Sequence, residues 1–133
     1  AVANAYFAGT EEIIPITATT IADSISVDLP RDGVRAVRAA RQTGGAYLTV
    51  TDDEIIAAIA DLGKVGIFAE PAGSTAYAGL KKALREGVIK PEDAVVVINT
   101  GNGLKDVRAA MASVSPAPVI EPTMQALKKH LGL

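Results

Sequence analysis

Residues 94–103 read Ala-Val-Val-Val-Ile-Asn-Thr-Gly-Asn-Gly, and this stretch decides the expected fold. Its first five residues, 94–98, are apolar without alternation, which is typical of a central parallel strand buried on both faces. A turn with two glycines follows at once, and residues 104–112 have the composition of a helix. A buried strand that leads within a few residues into a helix predicts an α/β domain.

The same alternation continues toward the N-terminus. Residues 46–50 and 66–69 are short β-rich runs beside glycines, and we predict that both are strands. Helices are predicted over residues 30–42, over residues 52–62 and from Pro71 onward. Short connections between such units force parallel strands and right-handed crossovers. The predicted fold class is therefore α/β, a three-layer parallel sheet with helices on both faces.

The domain organisation is predicted to be simple. The 133 residues suffice for one domain, and we expect a single α/β unit over residues 1–133. Within it, residues 113–133 are expected to be a C-terminal tail that ends in a short helix. Residues 1–4 carry neither an initiating methionine nor the layout of a signal peptide, so we expect them to be an internal point of a longer protein. Removal of the methionine and trimming of a disordered start is the alternative.

Composition excludes several classes of site. Without cysteine the chain has no disulfide, thiol nucleophile or thiolate metal site, and its single histidine, His130, rules out a catalytic triad or a two-histidine metal site. We therefore predict no metal ligands and no catalytic residues. A formal net charge of −2 argues against binding to nucleic acid. No apolar run approaches the ~20 residues of a membrane span, so a membrane is not expected as a partner either.

The turn at residues 99–103 is the first candidate site. Ligands of parallel sheets bind beyond the carboxyl ends of the strands. Thr100 places a hydroxyl there, and the start of the next helix offers free N–H groups to an anion or to the nitrogen of a heteroaromatic ring. The third glycine of a dinucleotide-binding loop is missing, because Asp106 takes its position. A strand-to-helix turn without a ligand is the alternative.

Two further groups of charged residues have both a structural and a functional interpretation. Glu70 precedes Pro71 at the expected start of a helix, where a carboxylate that caps the helix is the structural interpretation. Four arginines at helical spacing indicate a solvated face or, alternatively, a phosphate-binding face: Arg31, Arg35, Arg38 and Arg41. No general base stands beside a nucleophile in the sequence, so we expect one part of a binding site and not a complete catalytic apparatus.

Five motifs in a fixed order resemble a known family. They are residues 20–25 (TIADSI), 38–45 (RAARQTGG), 50–55 (VTDDEI), 66–73 (GIFAEPAG) and 100–106 (TGNGLKD). Together they are similar to the C-terminal part of the threonine synthases. These enzymes belong to the fold-type II pyridoxal-phosphate family, with the serine and threonine dehydratases and tryptophan synthase β. The resemblance implies the C-terminal half of the large domain of such an enzyme.

The resemblance also implies an activity and a set of site residues. The family's activity is that of a lyase that converts O-phosphohomoserine and water to threonine and phosphate, with pyridoxal 5′-phosphate as cofactor. Thr100 matches the residue that hydrogen-bonds the pyridine nitrogen, followed by Gly101. Glu70 matches a position near the cofactor face, and Ala22 a residue that lines the ring pocket. The four expected cofactor-binding residues are thus Thr100, Gly101, Glu70 and Ala22.

The sequence departs from the family pattern in three respects. It contains neither the motif with the Schiff-base lysine nor the glycine- and asparagine-rich loop that holds the cofactor phosphate, and Asn102 stands where many members have histidine. We therefore expect this chain to be inactive alone and to require the N-terminal part of the same protein. Its separation from that part is expected to leave a large exposed apolar surface or to cause self-association.

The resemblance further implies a cytoplasmic homodimer whose small-molecule substrate is O-phosphohomoserine. Two other interpretations of the sequence remain open. One is a serine/threonine dehydratase-like or cysteate synthase-like enzyme of the same family, because the substrate-selecting residues lie outside the matched motifs. The other is a small α/β binding module without catalysis.

Overall fold

The computed structural model describes residues 1–133 and contains six α-helices and two short 3-10 turns. The α-helices are α1 (Val2–Phe7), α2 (Gly33–Gln42), α3 (Asp52–Lys64), α4 (Pro71–Arg85), α5 (Val107–Ala112) and α6 (Met124–Leu131). The 3-10 turns span Asp23–Ile25 and Gly103–Lys105. The predicted helices correspond to α2, α3, α4 and α6, whereas α1 was not predicted.

The starts of α3 and α4 follow from local chemistry. Thr51 caps α3 by accepting a hydrogen bond from the Glu54 amide, and the Glu54 carboxylate accepts one from the Thr51 amide, so the predicted capping box is confirmed. Pro71 occupies the first turn of α4, where its missing N–H removes no helical hydrogen bond. Both helices therefore begin where the sequence places them.

Helices α3 and α4 pack against each other and form the core. The central cluster consists mostly of alanine, which lets the two helices approach closely: Ala22, Ile55, Ala58, Ala72 and Ala78. Two ion pairs join the helices on their outer side. Arg85 reaches the Glu54 carboxylate at 2.6 Å, and Lys81 reaches the Asp61 carboxylate at 2.5 Å.

Helix α2 packs against α1 and presents its arginines to the N-terminal segment. Arg38 forms a two-pronged ion pair with Glu11, the shortest contact being 2.6 Å, and Arg41 donates to the Thr10 carbonyl. The hydrogen bonds from Arg38 lower the pKa of Glu11. Half of the arginine series is therefore engaged in holding residues 10–11, which supports the structural interpretation over a phosphate-binding face.

The predicted strands are not formed in this structure. Residues 46–50, 66–69 and 94–98 make no ladder, and one isolated antiparallel bridge joins Ala69 to Asn102. The backbone groups of residues 94–98 take part in no backbone hydrogen bond. A strand requires a neighbouring strand to satisfy its N–H and C=O groups, and apart from that bridge no ladder hydrogen bonds join these runs to another segment. The layering of a parallel sheet with helices on both faces is thus not confirmed by this structure.

The helix predicted over residues 104–112 is also interrupted. The chain makes a 3-10 turn over Gly103–Lys105 and starts α5 only at Val107. The side chain of Asp106 accepts a hydrogen bond from the Ala109 amide at 2.9 Å, so Asp106 begins a new helix instead of continuing one.

A large part of the apolar residues remains exposed, as the sequence predicts for this segment. Only 18 of 133 residues are buried. In residues 94–98, Val96 is 89% exposed, and the groove of about 390 Å³ beside it is also lined by Leu48 and Leu80. None of the helices combines the length and the apolar character needed to cross a bilayer.

Candidate functional site

Three segments that are distant in the sequence meet at the N-terminal end of α4. They are the loop at residues 20–25, the start of α4 at residues 69–74 and the turn at residues 99–106. Two backbone hydrogen bonds hold the turn to the start of α4. The Glu70 amide donates to the Gly101 carbonyl at 3.1 Å, and the Gly103 amide donates to the Phe68 carbonyl at 3.0 Å. These bonds flank the bridge between Ala69 and Asn102.

Glu70 is the central side chain of this junction. It is 4% exposed and occupies the N-cap position of α4, yet its carboxylate accepts no hydrogen bond from the helix. The carboxylate turns instead to Lys105, whose ammonium lies 3.3 Å from Oε1, and to Ser24, whose hydroxyl donates to Oε2 at 3.4 Å. The interpretation of Glu70 as a capping carboxylate is therefore wrong, because its charge joins the other two segments.

Three glycines at the junction are required by close contact. A Cβ on Gly101 would lie 1.7 Å from the Glu70 Oε1 atom, and one on Gly73 would lie 2.2 Å from the Asn99 side chain. A Cβ on Gly103 would lie 2.4 Å from the Phe68 ring. The space that Gly101 and Gly103 leave is thus filled by protein side chains. These two glycines serve close packing of the turn and do not open a cradle for an anion.

Thr100 lies at the tip of the turn, next to Gly101. Its side chain is exposed and makes no hydrogen bond within the chain. The hydroxyl is therefore free to donate a hydrogen bond to, or accept one from, a group placed over the turn. Its backbone position is fixed by the adjoining Gly101, through the hydrogen bond to Glu70.

Ala22 is fully buried and belongs to the central core cluster, directly after the loop residues Thr20 and Ile21. Asp52, in the first turn of α3, holds this loop with both carboxylate oxygens. The Thr20 hydroxyl donates at 2.6 Å and the Ile21 amide donates at 3.2 Å. Asp52 therefore holds the loop that leads into Ala22.

The structure brings the four expected residues to one end of α4, but not into one contact set. Glu70 and Gly101 touch, Thr100 precedes Gly101 in the chain, and Ala22 is buried in the core cluster. Next to Glu70 is a cleft of about 120 Å³ whose lining includes Asp23, Ser24, Lys105 and Asp106.

Sequence reasoning assigned no role at this junction to three residues: Asp52, Ser24 and Lys105. Each lies within a motif that was recognised, but the motifs do not indicate which side chains pair across them. Asp52 had a signal in its position at a helix start. Lys105 and Ser24 had none, because their partner is 35 or 46 residues away.

Ser74 is a further residue of the first turn of α4 with unusual surroundings. It is completely buried, and its hydroxyl has no hydrogen-bond partner. An unpaired buried hydroxyl destabilises a fold by roughly 1–3 kcal/mol.

The side chains of His, Cys, Asp and Glu form no group of three or more that could hold a metal ion.

Comparison with known proteins gives a consistent result. Residues 1–101 match the profile of the family described as pyridoxal-phosphate dependent enzyme. The chain is 42% identical over 114 residues to a threonine synthase of Halalkalibacterium halodurans, covering 84% of this chain and 32% of that protein. It is 42% identical over 123 residues to a threonine synthase of Methanocaldococcus jannaschii, covering 91% of this chain and 30% of that protein. It is also 42% identical over 118 residues to a threonine synthase of Mycobacterium tuberculosis H37Rv, covering 86% of this chain and 32% of that protein. The chain thus spans about a third of the length of these relatives.

Proposed function

The chain belongs to the pyridoxal-phosphate dependent enzyme family, and from this premise we propose that it forms one wall of the cofactor site of a threonine synthase. The proposed reaction of the whole protein converts O-phosphohomoserine and water to threonine and phosphate. The observation that carries the proposal is the similarity to threonine synthases, which extends over more than four-fifths of the chain.

The residues at the α4 junction fit the cofactor. When bound, pyridoxal phosphate withdraws electrons from the carbon atoms of an amino-acid substrate. Thr100 offers a free hydroxyl to the pyridine nitrogen, and a neutral hydroxyl does not hold a proton there as a carboxylate would. Gly101, which follows Thr100, accepts a backbone hydrogen bond from Glu70, and Ala22 is proposed to line the pocket of the ring. We propose these four as the cofactor-binding residues of the chain.

The remaining components of the active site are proposed to come from outside these residues. The chain has no motif for the Schiff-base lysine, and the space beside Gly101 and Gly103 at the turn is filled by protein side chains. We therefore propose that the N-terminal part of the same protein binds the phosphate of the cofactor and supplies the Schiff-base lysine. The 133-residue chain alone is expected to be inactive.

The exposed apolar segments support a proposal about the fold of the whole protein. Residues 94–98 are apolar on both faces and unpaired. We propose that they become a central strand of a three-layer parallel sheet when neighbouring strands from the remainder of the protein are present. The chain is then a single unit in the C-terminal half of the large domain, with residues 113–133 as its tail, in a cytoplasmic homodimer.

The experiment that tests the function uses the full natural protein. We expect pyridoxal phosphate to bind and phosphate to be released from O-phosphohomoserine, with little deamination of serine or threonine. Thr100→Ala is expected to lower kcat/KM about tenfold to a hundredfold, because it removes one hydrogen bond to an ionisable ring. Thr100→Ser keeps the hydroxyl and is the matched control. Deamination without phosphate release would indicate a dehydratase, and an unchanged rate in Thr100→Ala would contradict the role of Thr100.

A further inference from the structure

Lys105 is a surface residue whose charged end reaches a buried acid. Its side chain is 61% exposed, whereas that of Glu70 is 6% exposed, and the ammonium lies 3.3 Å from the Glu70 Oε1 atom. The two residues are 35 positions apart in the sequence. An ion pair in which one partner is buried differs from a surface pair, because water cannot replace the lost partner at the buried charge.

Glu70 lies among other carboxylates, and Lys105 provides the positive charge that partly balances them. Asp23, Asp106 and Glu70 contribute three carboxylates to the cleft, and Lys105 is the one basic residue in its lining. Ser24 is the other side-chain donor to Glu70, at the longer distance of 3.4 Å. Removal of the ammonium would therefore leave the Glu70 carboxylate with a single weak donor among like charges.

Hydrogen bonds hold the backbone on either side of Lys105, so the ion pair between Lys105 and Glu70 restrains the turn as well as the side chain. Asn102 accepts a hydrogen bond from the Leu104 amide at 2.9 Å, and the Asp106 amide donates to the Gly103 carbonyl at 3.1 Å. Lys105 ends the 3-10 turn formed between these two bonds. The attraction between Lys105 and Glu70 consequently restrains the whole turn and not a mobile side chain alone.

We propose that Lys105 is a positioning residue: its ammonium holds the Glu70 carboxylate against Gly101 and thereby fixes the turn that carries Thr100. The contact at Gly101 links the ion pair to the turn. Oε1, the oxygen that faces Lys105, is also the oxygen that would collide with a Cβ at Gly101. The meaning of this placement for the cofactor rests on the proposed function, whereas the placement itself does not.

The test is hydrogen exchange followed by mass spectrometry on the full natural protein without added cofactor. Lys105→Met is expected to increase exchange about threefold to tenfold at the amides of Glu70 and Gly103, which bond the turn to the start of α4. Lys105→Arg keeps the charge and is expected to exchange like the wild type. Lys129→Met, an exposed lysine of α6 without an ion pair, is the matched control and is expected to change nothing.

A second comparison separates local positioning from general loss of stability. The amides of α2, residues 33–42, lie away from the junction and are expected to exchange equally in all variants. In a Glu70→Gln background, Lys105→Met is expected to have no further effect, because the charge that it holds is gone. Lys105→Gln gives the same comparisons should the Met variant not fold.

Three results would overturn the proposal: unchanged exchange in Lys105→Met, equally fast exchange in Lys105→Arg, or an increase that includes α2. Because the measurement needs no cofactor, it is independent of whether pyridoxal phosphate binds. If the cofactor fails to bind to the wild-type protein while the exchange contrast is present, the proposed function fails and the role of Lys105 stands.

Discussion

Gly101 lies so close to the Glu70 carboxylate that only a hydrogen atom fits between its Cα and the carboxylate oxygen. In Gly101→Ala the new Cβ would be 1.7 Å from Oε1, so either the turn or Glu70 has to move. We expect a loss of about 1–3 kcal/mol in the free energy of unfolding, typical of overpacking. Urea unfolding of the chain measures this loss.

Gly79→Ala is the matched control for this prediction. Gly79 lies within α4 and has no atom within 4 Å of its prospective Cβ. Alanine is a better helix former than glycine, so we expect a gain of roughly 0.5–1 kcal/mol. Similar losses in both variants would show that close contact with Glu70 is not the reason that glycine is needed at position 101.

Asp52 provides a second prediction at the level of single residues. Its carboxylate accepts hydrogen bonds from the Thr20 hydroxyl and the Ile21 amide, and Asp52→Ala removes both. We expect a destabilisation of about 1–3 kcal/mol, because the Ile21 amide is left without its partner in a partly buried position. Chemical denaturation, read at equilibrium, is the measurement.

Asp53→Ala is the natural comparison, since Asp53 is the exposed neighbour in the same first turn of α3 and makes no side-chain hydrogen bond. It loses only a favourable interaction with the helix dipole, worth about 0.3–1 kcal/mol. Equal effects of the two substitutions would mean that Asp52 acts on the helix and not on the loop that carries Ala22.

Among the elements, α3 and α4 are joined by the ion pair of Asp61 with Lys81, and Asp61 also pairs with Lys64 within α3. These pairs make the free energy of unfolding depend on pH. Hydrogen bonds from Lys81 and then Lys64 lower the pKa of Asp61 from its usual 3.8 to about 2. A carboxyl group whose pKa is lowered in the folded state stabilises that state above the unfolded pKa. The contribution is therefore complete above about pH 4 and is lost as the pH falls toward 2.

The measurement for this prediction is the unfolding free energy of wild type and Asp61→Asn between pH 7 and pH 2. The difference between the two proteins is expected to be constant at neutral pH and to shrink below pH 4. Lys81→Met is expected to raise the pKa of Asp61 more than Lys64→Met does, because Lys81 contributes the larger effect. A difference that persists unchanged at pH 2 would contradict the assignment.

The two helices were predictable because their signals are local. The capping box at Thr51 and the proline at the start of α4 act over three or four residues, and the structure confirms both. Residues 94–98 were given as a strand on equally good local grounds, yet no ladder forms. A strand depends on partners far away in the chain, whereas a capped helix supplies its own hydrogen bonds.

The candidate site divides along the same line. The glycine and threonine of the turn and the glutamate before Pro71 were identified from their motifs, and the structure brings them to one end of α4. The partners of Glu70 were not identified, because a pairing between Lys105 and a residue 35 positions earlier leaves no periodic signal. The four proposed cofactor contacts remain predictions.

For the whole molecule, the main feature is apolar surface that has no covering. Val96 is 89% exposed beside a groove lined by Leu48 and Leu80, and residues 94–98 make no backbone hydrogen bond within the chain. Unpaired apolar segments of this kind associate with other chains. In isolation the 133-residue chain is therefore expected to form dimers or larger species, and its formal charge of −2 gives little repulsion to prevent them.

Val96→Lys tests whether this segment drives the association, because a charge at its centre disfavours stacking against a second apolar surface. Light scattering after gel filtration is expected to give a mass above 13.6 kDa for the wild type and a mass closer to that value for the variant. Val119→Lys introduces the same charge at an equally exposed valine of the tail, outside the groove, and is expected to leave the association unchanged. A wild-type chain that is monomeric would contradict the prediction, and equal effects of both lysines would contradict the role of residues 94–98.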